Sequence, residues 1–167
     1  MYYLNLFFVS SIFGFIIETI LKTLFFHSMN NGIMFSPWIF VYGFGIVIIV
    51  FISDYIFTKF NISRLKKNVL IFFVVSILLT FLEFVGGNLI EILFNKVYWN
   101  YDDLLFNFGY YIALEISILW GICSIIYIHF IEPIFNKVIK KIPKIITILI
   151  LIIFLIDLIL TIIFQLT

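Results

Sequence analysis

The chain has 167 residues, of which 65% are hydrophobic and 11% are charged, and its mean hydropathy is +1.27. No water-soluble domain can hide that much apolar surface, so the composition excludes a soluble fold and predicts a membrane protein. The formal net charge of +1 gives no support to a general role in binding nucleic acid or another polyanion.

Five apolar runs each reach the ~20 residues that a membrane-spanning helix needs. Many of their residues are β-branched, which would favour strands in water, but a continuous run in lipid must satisfy its backbone internally as a helix. We therefore predict an all-α, polytopic membrane protein that forms a single transmembrane domain over residues 1–167. The five transmembrane helices are predicted at about residues 2–26, 37–57, 69–94, 108–131 and 145–166.

The charges of the predicted loops indicate the orientation, because loops rich in Lys and Arg stay in the cytoplasm. The first loop has no Lys or Arg, and the third has only Lys96. The second and fourth loops hold four basic residues each, namely Lys59, Arg64, Lys66 and Lys67, and Lys137, Lys140, Lys141 and Lys144. The pattern predicts an N-terminus inside and a C-terminus outside.

The fourth loop also has the pattern of a short amphipathic helix over about residues 133–142. Pro133 suits a first helical position, and Ile134, Val138 and Ile142 then share one side while the lysines lie largely on the other. We expect this segment to lie on the inner membrane surface.

Several carboxylates fall inside the predicted spans, where a charge costs roughly 2.5–3.5 kcal/mol and usually marks a functional site. With the orientation above, Glu18, Glu83 and Glu91 lie in the outer half of the bilayer. The alternative is that such carboxyls only hold helices together, and for Asp157 this structural role is the one we expect. The first three are candidates for binding a cation, a proton or a polar solute.

The two outer loops are rich in aromatic residues beside Asn, Asp and Gly, which suits a membrane interface and tight turns. A weak internal repeat accompanies them, since Gly14 precedes Glu18 by four residues just as Gly87 precedes Glu91. The loop positions that could contact a solute are Asn30, Trp99, Tyr101 and Asn107. An interfacial anchor and a turn explain Trp99 and its neighbours equally well.

These motifs resemble the type IV ABC-transporter permease family of small bacterial membrane proteins. The positions of the first half that match its pattern are Gly14, Glu18, Asn30, Gly32, Pro37, Tyr42, Gly43 and Gly45. Those of the second half are Glu83, Glu91, Trp99, Tyr101, Asn107, Gly109, Trp120 and Gly121. The resemblance covers roughly residues 8–135 and implies transport. Two departures are that Asn31 replaces an Arg and Asn100 replaces an Asp.

The leading functional hypothesis is a transporter or permease-like component of the cytoplasmic membrane that binds a small polar or cationic solute. The substrate would bind in an outward-facing acidic cavity lined by Glu18, Glu83, Glu91, Asn30, Trp99, Tyr101 and Asn107. Expected partners are membrane lipid, a separate ATPase subunit on the cytoplasmic side and a second copy of the chain. A role for nucleic acid is not expected.

Two alternatives stay open at this point. One is a membrane-embedded enzyme that acts on a lipid-linked or peptide substrate at the outer face, with Glu83 or Glu91 as general acid or base. The other is an accessory or immunity-type membrane protein. No phosphate-binding loop of the form G-x-x-x-x-G-K-[ST] occurs, and His27, Cys123 and His129 do not have zinc-site spacing. We therefore expect no ATPase in this chain, and no metal or cofactor.

The predicted orientation can be tested with single cysteines and a thiol reagent that does not cross membranes. Asn31→Cys and Asp103→Cys should react from outside the cell, whereas Ser63→Cys and Asn136→Cys should not, because the basic loops stay in the cytoplasm. The parent chain is the control for background labelling at Cys123. Labelling of Ser63→Cys from outside would invert the orientation.

Overall fold

The computed structural model describes residues 1–25 and 33–166. Over these ranges the chain is helical, and a single antiparallel bridge between Asn107 and Ala113 is its only β-type pairing. The helices are α1 (Tyr2–Phe25), α2 (Phe40–Lys59), α3 (Arg64–Phe94), α4 (Leu114–Ile126), α5 (Glu132–Ile139) and α6 (Lys144–Leu166), with a π-helical segment at Tyr127–Ile131.

Five helical stretches within the described residues are long and apolar enough to cross a membrane. They are α1 as far as Leu24, α2, α3, the continuous stretch Leu114–Ile139, and α6. The prediction of an all-helical protein with five spans is confirmed for this part of the chain, which is that of a multi-pass membrane protein. Which side each end occupies stays a prediction.

The third helix begins five residues before its predicted start at residue 69. Ser63 is its N-cap, and its side chain accepts a hydrogen bond from the backbone N–H of Lys66. The ammonium of Lys67 donates to the carbonyl of Phe57 at 2.9 Å, near the end of α2. All four basic residues assigned to the second loop therefore lie in helical turns, Lys59 at the end of α2 and the others at the start of α3. The long aliphatic stems of Lys and Arg let a helix carry them at a membrane boundary.

The fourth helix begins at Leu114, six residues after its predicted start at residue 108. Gly109 has a φ of +68°, a left-handed conformation that turns the chain. The N–H of Phe108 donates to the carbonyl of Ile112 at 2.8 Å across this turn. Residues 108–113 are as hydrophobic as a membrane span, so the hydropathy pattern predicted that they belong to the helix.

The predicted inner-surface helix exists, but it does not stand apart from the span before it. α4 passes through the π-helical segment into α5 without a break, and the whole stretch is helical as far as Ile139. The wide π turn precedes Pro133, which has no N–H to donate and whose ring crowds the carbonyl four residues earlier. That α5 lies on the inner surface stays a prediction.

The second helix begins at Phe40, three residues after its predicted start at residue 37. Before it, the chain bends at Pro37, and the N–H of Trp38 donates to the carbonyl of Ser36 at 2.7 Å. A proline disfavours helical geometry at the residue before it, so regular helix begins only after the turn at Pro37.

The chain divides into two compact units, residues 1–47 with 135–167 and residues 48–134. The first has an aromatic core in which the buried Phe7, Phe8 and Trp38 pack with Phe154 of α6. In the second, α3 and α4 pack as antiparallel neighbours.

Small residues bring α3 and α4 together. A Cβ atom on Gly121 would lie 2.4 Å from the Ser76 hydroxyl, so only glycine permits this approach. One helical turn away, the hydroxyl of Thr80 donates to that of Ser117 at 2.6 Å. Such close backbones and paired hydroxyls stabilise helix pairs in lipid.

Asp157 is a buried carboxylate of α6, and it holds the chain segment before α2. Its two oxygens accept the backbone N–H groups of Phe35 (3.3 Å) and Ser36 (2.9 Å). The hydroxyl of Thr161 also donates to it, at 3.4 Å. Asp157 thus has the structural role that its position in a span predicted, although its partners are loop amides rather than another helix.

Asp157→Asn should destabilise the protein by about 1–3 kcal/mol, because asparagine keeps one acceptor oxygen and turns an NH₂ group toward a backbone donor. Thermal unfolding of the detergent-solubilised protein measures the change. Asp54→Asn is the matched control, since the Asp54 side chain is exposed at the end of α2. Equal melting temperatures for the two variants would contradict the role assigned to Asp157.

Candidate functional site

Glu83 lies on α3 with only 6% of its surface exposed. The hydroxyl of Tyr101 donates to its Oε1 at 2.9 Å, and the side chain of Trp120 approaches the same carboxyl. Tyr101 belongs to the loop between α3 and α4, so this loop folds back along α3 to reach a residue eleven positions before the helix ends. Two neutral donors therefore surround the carboxylate.

Glu91 lies two turns further along the same helix and is bound by Tyr111. The Tyr111 hydroxyl donates to Glu91 Oε2 at 2.9 Å, and the tyrosine itself is only 4% exposed. Its burial, followed by the nearby Glu91 carboxylate, raises the pKa of Tyr111 to about 12. The phenol consequently keeps its proton and remains a donor at neutral pH.

Gly87 makes the contact between Tyr111 and α3 possible. A Cβ atom at position 87 would lie 2.4 Å from the tyrosine ring, whereas one on the adjacent Gly86 would meet nothing within 4 Å. The Trp99 ring packs edge-on against the other side of Tyr111, with the ring centres 5.4 Å apart. Tyr111 is thus held between the helix and the loop.

Asn107 braces the loop internally. Its side-chain NH₂ donates to the carbonyls of Tyr101 (3.2 Å) and Asp102 (2.9 Å). Asn100 closes a short turn by accepting the N–H of Asp102 at 2.8 Å. The amide hydrogens of Asn107, which was predicted to contact a solute, are therefore already used to hold Tyr101 in place over Glu83.

Two polar atoms near the junction of the loop and α4 are buried without a hydrogen bond in the described part of the chain. One is Glu115 Oε2, whose partner oxygen Oε1 accepts the N–H of Phe106 at 3.1 Å. The other is the indole nitrogen of Trp99. An acceptor and a donor are thus left without a partner among the described residues.

Glu18 lies in the other unit, and its charge is compensated by its own helix. Lys22 Nζ is 2.6 Å from Glu18 Oε1, one turn further along α1. For Glu83 and Glu91, the partners that the structure shows are tyrosine hydroxyls instead. The convergence of all three acids on one cavity stays a prediction, and Asn30 lies outside the described residues.

The structure places predicted residues Trp99, Tyr101 and Asn107 together around Glu83 and Glu91. Sequence reasoning missed Tyr111 and the contact of Glu115 with the loop. The adjacent pair Tyr110–Tyr111 directly after Gly109 is the signal that could have indicated a buried loop tyrosine. No three His, Cys, Asp or Glu side chains of residues 1–25 and 33–166 come together as a metal site.

The weak sequence repeat has a structural counterpart within each unit. Gly14 packs on the ring of Tyr42 in the first unit, as Gly87 packs on that of Tyr111 in the second. In each unit a further glycine contacts a Phe and a Ser four residues apart. These contacts are Gly43 on Phe7 and Ser11, and Gly121 on Phe72 and Ser76.

Residues 5–162 match the family model described as Putative ABC-transporter type IV. The chain belongs to this family. The match extends into α6, beyond the motifs that suggested the resemblance. No curated protein and no solved structure matches the chain.

Gly87→Ala should destabilise this type IV family member by about 1–3 kcal/mol, because the added methyl group would displace Tyr111 from α3. Gly86→Ala is the matched control, and it should be neutral or stabilise by up to about 1 kcal/mol through its higher helix propensity. The melting temperatures of both variants in detergent measure the difference. A Gly87→Ala protein as stable as Gly86→Ala would show that Tyr111 does not depend on this contact.

Proposed function

We propose that the protein is a transporter or permease-like component of the bacterial cytoplasmic membrane that binds a small polar or cationic solute. The observation that carries this proposal is the environment of Glu83, a buried carboxylate within a span whose partners are neutral. A carboxylate at such depth is stable only with a proton or with a positive partner. A cationic solute would supply that partner.

Glu18 provides the contrast that supports the assignment. The charge of Glu18 is compensated within its own helix, because Lys22 Nζ lies 2.6 Å from its Oε1. Glu83 and Glu91 are bound instead by tyrosine hydroxyls at 2.9 Å, which satisfy hydrogen bonding but not charge. A cationic solute would therefore add the charge compensation that these hydroxyls do not give.

The chain contains no phosphate-binding loop, so energy for ATP-driven transport would come from a separate ATPase subunit. In our proposal this subunit docks at the cytoplasmic side, and the orientation is N-terminus inside and C-terminus outside. A second copy of the chain completes the pathway, since five helices enclose little space.

The proposal can be tested with the native tryptophans as reporters, because Trp99 packs on Tyr111 and Trp120 approaches Glu83. The purified protein is titrated with a panel of small cations, from alkali metal ions to choline and polyamines, while fluorescence and melting temperature are recorded. At least one cation should shift both signals. Glu83→Gln or Glu91→Gln should weaken its binding by about tenfold or more, the equivalent of ~1.4 kcal/mol.

Asp103→Asn is the matched control, because it removes an exposed loop carboxylate near the same site. It should leave the affinity unchanged. A cation response that survives Glu83→Gln and Glu91→Gln, or that falls equally in Asp103→Asn, would reject the site. A panel without any response would reject a cationic solute.

A further inference from the structure

The register between α3 and α4 shows how deep the loop between them reaches. Thr80 bonds to Ser117, and Ser76 lies against Gly121, so the two helices run antiparallel with these residues at equal heights. Three residues along each helix from the first pair, Leu114 lies at the height of Glu83. The start of α4 is therefore level with Glu83, and α3 continues for 11 more residues to Phe94, roughly 16 Å.

The tip of the loop lies at the same height as the start of α4. The N–H of Leu114 donates to the carbonyl of Phe106 at 3.0 Å, and the N–H of Phe106 donates to Glu115 at 3.1 Å. These two bonds hold Phe106 beside the first turn of α4. The loop thus does not project beyond α3 but returns along its last three turns.

The basic end of α3 gives the position of the membrane relative to this tip. Arg64, Lys66 and Lys67 mark one boundary of the hydrocarbon region. From Lys67 to the height of Glu83 is 16 residues, or about 24 Å along the helix. The hydrocarbon core is about 30 Å thick, so the tip lies roughly 6 Å below the far boundary.

The side chains of the tip suit that depth. Leu105 is 91% exposed, Phe106 64% and Phe108 78%, so three large apolar groups stand together on the surface. The carboxylates of Asp102 and Asp103, which precede this apolar tip in the chain, are exposed as well. Apolar groups beside exposed charges suit the boundary between acyl chains and head groups.

The backbone of the loop also meets the requirement for irregular structure at this depth, which is that its polar groups are bonded within the protein. The N–H groups of Tyr101, Leu104 and Phe108 donate to the carbonyls of Tyr110, Tyr101 and Ile112 at 2.8–3.0 Å. The Asn107 amide and the Glu115 carboxylate satisfy further groups of the same segment.

We infer that the loop between α3 and α4 is a shallow re-entrant segment, with Leu105, Phe106 and Phe108 inserted among the acyl chains of the leaflet opposite the basic end of α3. Lipid is the occupant of this apolar surface. The inserted tip fixes the height of the loop that carries Tyr101 to Glu83. The inference rests on the register of one helix pair and does not depend on which solute the protein binds.

Spin labels test this placement in the full-length protein, reconstituted in vesicles of phosphatidylethanolamine and phosphatidylglycerol. Leu105→Cys and Phe108→Cys each carry a nitroxide, and Asp103→Cys is the matched control, all in a Cys123→Ser background because Cys123 is exposed. Collision with oxygen, which concentrates in lipid, is compared with collision with a water-soluble nickel chelate. The oxygen-to-nickel ratio at positions 105 and 108 should exceed that at position 103 by about tenfold, the partition expected across the boundary for a label several ångströms deep.

Two outcomes would overturn the inference. Nickel accessibility at positions 105 and 108 equal to that at position 103 would place the whole loop in water. Protection from both reagents, together with dipolar broadening between labels of neighbouring molecules, would show that a second copy of the chain covers the tip instead of lipid. Because all three labelled positions are exposed, the substitutions should leave folding intact, and unchanged melting temperatures verify this.

Discussion

The structure depends on one constraint, which is that polar groups at membrane depth must find their partners inside the protein. Four acids of the described helices meet it in different ways. Glu18 pairs with Lys22, Glu83 and Glu91 accept tyrosine hydroxyls, and Asp157 accepts two backbone N–H groups. The bonds of Glu83, Glu91 and Asp157 also determine where the loops lie, because each of them holds a loop segment against a helix.

Close helix contacts follow from the same constraint. Short polar groups can meet only where backbones approach, and glycine provides this approach at four positions, two in each unit. In both units a glycine four residues before an acid packs on a tyrosine ring, as Gly14 does on Tyr42 and Gly87 on Tyr111. The units thus share a packing solution but differ in electrostatics, because the first carries a compensating lysine and the second does not. This difference is why the candidate site is assigned to the second unit.

Membership of the type IV family agrees with transport, but fold and family do not identify a solute, and function must be argued from the site. The chemistry that the site offers is specific. The site combines a buried carboxylate, neutral donors and two unpartnered polar atoms, at Trp99 and Glu115. Asn107 and Gly109 shape the loop that contributes to it. The hydroxyl of Tyr101 is the contact that joins this loop to Glu83, so the loop and the site form one structural element.

The sequence by itself determined the features that depend on local composition and on the thickness of the bilayer. These include the all-helical class, the five spans, the acids within them and the family motifs, because a run of about 20 apolar residues has one stable form in lipid. Tertiary structure alone decided the start of α4 at Leu114, the return of the loop along α3, and the choice of Tyr111 as the partner of Glu91. Hydropathy cannot distinguish a lipid-facing helix from an equally apolar loop, since the difference lies in hydrogen bonds between residues that are distant in sequence.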